Sequence, residues 1–176
     1  MASVSDPIVE EAPAAQGLTP AKGFAVLIGV IVAVAALIGI GVALELSALY
    51  AGFLFALYWT GLCHADFKQF VPALVGSLGG LGLAYGLSAL PVALGGAGMA
   101  LALALVLLAI YAIIMGWVPV LVNNAFMLFL TVGSIPVLHE QTTLGAMAWA
   151  VVVAAVYLGA LVMLGKKLAA RQAPAA

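Results

Sequence analysis

The sequence predicts an all-α polytopic membrane protein with six transmembrane helices, and three observations predict it. Hydrophobic residue types make up 67% of the 176 residues and charged ones only 6%, against about 25% charged in a soluble domain. The mean hydropathy is +1.33. The apolar runs are continuous rather than alternating, which argues against a barrel and leaves helices as the structure that satisfies every backbone group in lipid. So few charges cannot cover a water-exposed globule. A net charge of −1 supplies no basic footprint for nucleic acid. Cys63 is the only cysteine, so neither an intramolecular disulfide nor a thiolate metal cluster can form.

The elements follow in order. Residues 1–21 carry Asp6, Glu10, Glu11, Pro7, Pro13 and Pro20. They lack the basic start and apolar stretch of a secretory signal and read as a disordered cytoplasmic tail. Six apolar segments follow, at 23–44, 47–63, 69–90, 95–117, 119–135 and 143–165. A hydrocarbon core about 30 Å thick needs about 20 apolar residues per helix. The first, third, fourth and sixth segments meet that length; the second and fifth are shorter and more polar. The first ends at Glu45. The second ends at the most polar internal stretch, from His64 through Asp66 and Lys68 to Gln69. Pro91 stops the third, with Gly95 and Gly96 next. Trp117 and Pro119 divide the fourth from the fifth, tryptophan being favoured at headgroup level. Pro136, His139, Glu140 and Gln141 divide the fifth from the sixth. The transmembrane domain is thus expected over 22–167, with a second cytoplasmic tail over 168–176.

Orientation rests on five residues: Lys22, Lys68, Lys166, Lys167 and Arg171. With six crossings all five fall on one side, and the loops after segments one, three and five hold none. The excess of Lys and Arg in cytoplasmic loops then places both termini in the cytoplasm, and the Ala/Gly/Leu-rich make-up suits a bacterial inner membrane. Five crossings would put the C-terminal cluster opposite Lys22 and Lys68.

The six segments also divide into two sets of three, each running long, short, long. The short ones are faintly alike: Gly52-Phe53 stands opposite Ala125-Phe126, and each segment is followed by a histidine, His64 and His139. Sets of three point in opposite directions, which is the inverted repeat that transporters use, with short segments marking the site. Composition alone also makes apolar helices resemble each other.

Several residues invite a function. Asn123 and Asn124 are costly to face lipid, so each meets protein, water or a solute. One reading is a polar solute path, since a carboxamide both donates and accepts; the other is interhelical bonding, worth about 0.6 kcal/mol on average. Thr131 lies on the same face as Asn124. Phe53 and Phe126 are candidates for an apolar constriction on that path, or for core packing. Gly76, Gly80, Gly82 and Gly86 form small-xxx-small pairs that let another helix approach closely. His64 and His139 are candidates for proton-sensitive gates, or simply solvated loop residues. They lie at opposite faces and cannot share an ion, so no metal and no cofactor is expected. Cys63 and His64 are neighbours in sequence and do not face each other on a helix. No set of residues for catalysis emerges, and the chain is not expected to be an enzyme.

Tyr50-Ala51-Gly52-Phe53 and the glycine-rich stretch from Gly76 to Gly86 resemble a family of small bacterial inner-membrane proteins of unknown function. That family has a short "WAGF"-like helix and a glycine-rich third helix; Tyr50 departs from its tryptophan. The six-helix plan is also similar in architecture to bacterial urea and amide channels. The resemblance implies a small-solute membrane protein.

The sequence therefore leads to a small channel or facilitator for a small polar uncharged solute. Its acids and bases sit at segment ends, whereas coupled pumps bury them within helices. The rival expectation is a non-transporting accessory or assembly subunit of a larger membrane complex. Expected partners are the lipid bilayer, a second copy in a homo-oligomer and a membrane-protein partner.

Overall fold

The computed structural model describes residues 20–172, except the side chains of Lys22, His139, Glu140, Gln141, Ala169 and Gln172. The described residues are helical, with no strand. The elements are α1 (Pro20–Ala43), α2 (Leu49–Ala56) continued by a π-turn (Leu57–Leu62), α3 (Phe67–Ile114), α4 (Asn124–Gly133), α5 (Pro136–Gln141) and α6 (Leu144–Gln172). Three stretches are long and apolar enough to cross a membrane: Gly23–Ala43, Phe67–Ile114 and Leu144–Leu168. Contacts divide the chain into two units, one ending at Ala36 and one from Leu37 onward. In the first, α1 is an apolar helix with almost every described side chain exposed. The packing and the site described below lie in the second.

The third and fourth apolar segments, expected to be separate helices, are the two helical limbs of α3, consecutive across a break at Gly95. The 48 residues of α3 would extend about 72 Å if straight, more than twice a hydrocarbon core. It is not straight. Gly95 leaves the helical region, with φ 58° and ψ −133°, a conformation open to glycine and costly for other residues. The second limb, 96–114, then returns beside the first, 67–94. A Cβ placed on Gly98 would collide with the Leu90 carbonyl oxygen. Ala84 and Ala109 share one packed cluster, although 25 residues of straight helix would separate them by about 38 Å.

The break expected at Pro91 therefore falls four residues later. Pro91 stays within the helix, and the turn needs the positive φ that Gly95 supplies. The second limb also ends before Trp117. Gly116 has φ 66°, and the Gly116 N–H donates to Ile113 O at 3.0 Å while the Trp117 N–H donates to Ala112 O at 2.8 Å. That pair of bonds is the Schellman stop, which settles two otherwise orphaned carbonyls.

The fifth apolar segment is helical only over its second part. Pro119 and the cap at Asn123 keep 115–123 irregular, so α4 has 10 residues and spans about 15 Å. The second segment forms a helix of 8 residues plus a π-turn of 6.

The long helices form the frame. The first limb of α3 and α6 run antiparallel: Leu144 and Gly145 line a cavity with Gly82 and Tyr85, Gly159 meets Phe70, and Lys166 meets Phe67. Lys68, Lys166 and Lys167 thus lie at one end of this unit. Between the frame helices sit Phe55, Trp59 and Phe129, all 0% exposed, in one cluster with Met147 and Val151 of α6.

Candidate functional site

The two short helices, α2 and α4, each lie on a stripe of small residues of a long helix. On α3 the stripe is Gly76, Gly80 and Ala84. A Cβ at Gly80 would strike the Phe126 carbonyl oxygen and come within 2.8 Å of the Leu130 nitrogen. At Gly133, an added Cβ would meet Ala84 Cβ at 2.8 Å. On α6 the stripe is Ala150 and Ala154. A Cβ at Gly52 would lie 3.0 Å from the Ala150 carbonyl oxygen and 3.1 Å from Ala154 Cβ. Small residues four apart stack on one face and let backbones approach to van der Waals distance.

Direction completes the pattern. The α4 chain passes Pro72 at Asn123, Gly80 at Phe126 and Ala84 at Gly133, so it runs parallel to the first limb of α3. The α2 chain starts where the Tyr50 hydroxyl meets Thr142 Oγ1 at 3.0 Å and passes Ala150 and Ala154 at Gly52, so it runs parallel to α6. Because α3's first limb and α6 are antiparallel, the two pairs point in opposite directions. The Tyr58 side chain reaches the backbone of Ala125, which brings the short helices together.

Asn123 locks the first pair. Its Oδ1 accepts the Phe126 N–H at 3.1 Å, the N-cap bond of α4. Its Nδ2 donates to Pro72 O at 2.8 Å on α3, to Pro119 O at 3.0 Å and to Val120 O at 3.2 Å. The carboxamide is therefore committed on both atoms. Gly76 is the seat that admits it, since a Cβ there would overlap the Asn123 side chain.

Aromatic rings tie the second short segment to the start of α3. Trp59 sits 4.8 Å from Phe70 and 5.5 Å from Phe67, both edge-on, and Phe55 lies 6.2 Å from Phe70. Trp59 Nε1 donates to Asp66 O at 3.0 Å, so the buried indole leaves no polar atom unpaired. Asp66 itself caps α3 by accepting the Lys68 N–H at 3.0 Å.

The candidates for a solute path do not line one passage. Phe53 packs against the cluster of Phe55 and Trp59. Phe126, only 5% exposed, belongs to a second cluster with Ala84, Ala109 and Leu130. Asn124 and Thr131 are exposed on the outer side of α4, and Thr131 Oγ1 donates to Met127 O at 2.8 Å. Of the glycines, Gly76 and Gly80 take part in close packing, whereas Gly82 has nothing near its Cβ position and Gly86 meets only Leu90, at 3.8 Å. The stripe advances by fours from Gly80 to Ala84, so Gly82 lies about 200° around the helix. His64 is exposed, in a connection where it and Ala65 hold φ 51° and 52°. His139 belongs to the backbone of α5, and its side chain lies outside the described residues.

Two serines went unnoticed in the sequence. Ser88 and Ser134 line an open cavity of about 370 Å³ with Ala84, Leu87 and Pro136, at the end of α4 away from the lysines. Each hydroxyl donates within its own element, to Tyr85 O at 2.9 Å and Leu130 O at 2.6 Å, and keeps its lone pairs for an incoming donor. Their only signal was a hydroxyl in an apolar run. Compared with known protein families, curated proteins and solved structures, the chain matches none.

Proposed function

We propose that this chain is a six-crossing inner-membrane protein made of two inverted three-helix halves, and that it serves as a non-transporting accessory or assembly subunit of a membrane complex. The reading rests on the filled space between α2 and α4. An inverted-repeat transporter keeps its solute there; here Phe55, Trp59 and Phe129 occupy it, each 0% exposed. Asn124 adds support. It starts α4 beside Pro72 and Gly76, about 8–14 Å along α3 from Phe67, yet it faces outward and is exposed. A carboxamide at that depth calls for a polar partner, and a neighbouring helix supplies one.

The four limbs between Lys68 and Lys166, the two of α3 followed by α4 and α6, support the crossing number. They return Lys166 and Lys167 to the end where Lys68 starts α3, as an even number of crossings requires. Cytoplasmic placement of that end, and so of both termini, follows from the excess of lysine. Cysteines substituted at Lys68 and Glu140 are expected to label from opposite sides of the membrane; labelling from one common side overturns the six-crossing reading.

A facilitator for a small polar uncharged solute is the second reading, favoured by the oppositely directed pairs of α2 on α6 and α4 on α3. Stopped-flow light scattering on proteoliposomes with urea, acetamide, glycerol, formate and water gradients separates the two. The accessory reading expects rates equal to empty liposomes throughout, and a photo-crosslinker at Asn124 that joins one stoichiometric membrane protein. Faster equilibration of one solute, lost in Asn124→Leu, overturns it in favour of the facilitator.

A further inference from the structure

The end of the second unit where α3 begins and α6 runs out carries an amphipathic recess. Phe67, Met163, Lys166 and Lys167 line an open cavity of about 290 Å³. Lys166 Nζ stands 4.7 Å from the centroid of the Phe67 ring, a geometry in which the ring's negative face holds the ammonium in place. Lys167 follows on the next helical position, and Lys68, exposed, follows Phe67. Among the described residues no carboxylate pairs with these three ammonium groups. Asp66, the acid nearest in sequence, has one carboxylate oxygen accepting the Lys68 backbone N–H.

The recess therefore has a floor of ring, thioether and lysine methylenes under a rim of unneutralised positive charge. Lysine stems commonly lie along apolar surface in this way while the heads stay wet. A ligand that satisfies both halves is an anion with an alkyl chain attached. We infer that this recess binds an anionic glycerophospholipid, its phosphate diester between the Lys166 and Lys167 ammonium groups and an acyl chain running past Phe67 and Met163. Basic recesses between helices at the cytoplasmic side are suited to such headgroups. Phosphate is the recognised chemistry, and the attached chain distinguishes a lipid from soluble phosphate. The inference needs this end to lie at the membrane surface and is independent of whether the chain transports.

The test uses the full chain purified in mild detergent, with lipid occupancy read by native mass spectrometry. Dioleoyl phosphatidylglycerol is expected to bind about tenfold to thirtyfold more tightly than dioleoyl phosphatidylcholine, the worth of two lysines at an anionic surface. The double variant Lys166→Gln/Lys167→Gln is expected to lose that preference, and Lys166→Arg/Lys167→Arg to keep it. Inorganic phosphate is expected to leave the bound lipid in place. Equal binding of the two lipids overturns the inference, as does a preference that survives the glutamine substitutions or disappears with arginine. Displacement by equimolar inorganic phosphate overturns the lipid in favour of a soluble anion.

Discussion

The α4-on-α3 and α2-on-α6 contacts use one geometry and two chemistries. In each, a short helix lies parallel to a long one on a stripe of small residues. The first is held by Asn123, with hydrogen bonds to Pro72, Pro119, Val120 and Phe126. The second rests on Gly52 against Ala150 and Ala154 of α6, and the same short segment is wedged against the start of α3 by the rings of Phe55 and Trp59 on Phe67 and Phe70. In lipid the hydrophobic effect does not drive helices together, so what counts is close packing and hydrogen bonding. An edge-on aromatic pair is worth about 0.5–1.5 kcal/mol, and an interhelical hydrogen bond in a membrane averages about 0.6 kcal/mol. Several ring pairs therefore outweigh one carboxamide. The polar lock contributes direction instead: it fixes where α4 starts and at which level of α3.

The seat on α3 is the tighter of the two, and substitutions there are expected to have the largest effect. Gly80→Ala drives a methyl into the Phe126 carbonyl and the Leu130 nitrogen, backbone that cannot rotate away. A loss of about 3 kcal/mol or more is expected, by the overpacking that such a clash enforces. Gly52→Ala meets contacts of 3.0 and 3.1 Å that a small shift relieves, and about 1 kcal/mol is expected. Thermal unfolding in detergent, followed by circular dichroism, measures both. Equal losses would erase the distinction between the seats.

Next comes the aromatic lock. Trp59→Ala opens a cavity where the side chain is 0% exposed, and about 3–5 kcal/mol is typical of such a deletion in water. In lipid the transfer part shrinks and the cavity part stays, so about 2–3 kcal/mol is expected. Asn123→Ala removes a cap and an interhelical bond, for about 1–2 kcal/mol. Asn123→Asp is the sharper variant. It keeps an acceptor for the Phe126 N–H but turns a carboxylate toward the carbonyl oxygens of Pro72, Pro119 and Val120. It is expected to be worse than alanine; the reverse order would mean that the cap alone matters. Smallest is Gly82→Ala, which meets nothing within 4 Å and is expected to be neutral or to stabilise by up to about 1 kcal/mol through helix propensity.

Hydropathy made the helical class and the long apolar segments legible, because lipid leaves the backbone few alternatives. The small-residue stripe at Gly76 and Gly80 was legible through its spacing of four. Gly82 and Gly86 share that spacing and pack against no other helix, because spacing defines a face but not which face finds a partner. The α6 stripe was missed because alanine is common in any helix of this composition; only Gly52 opposite Ala150 and Ala154 reveals it. Asn123 was singled out by its burial cost, and its role as cap and clamp depends on Pro72, 51 residues away in sequence. Gly116 was passed over for Trp117 and Pro119, although a glycine just past the last apolar turn is the commoner stop.

The return at Gly95 bears on how the chain enters a bilayer. No Asp, Glu, Lys or Arg lies between Lys68 and Glu140, so beyond Lys68 neither limb of α3 nor α4 has a charged side chain that lipid would have to admit. A nascent chain threaded as far as Gly95 can fold the second limb against the first, and the pair partitions from the translocon as one helical hairpin. On the six-crossing reading proposed above, Lys68 is the charge that would hold the base of that hairpin on the side of synthesis, with the uncharged turn at Gly95 as the end that crosses.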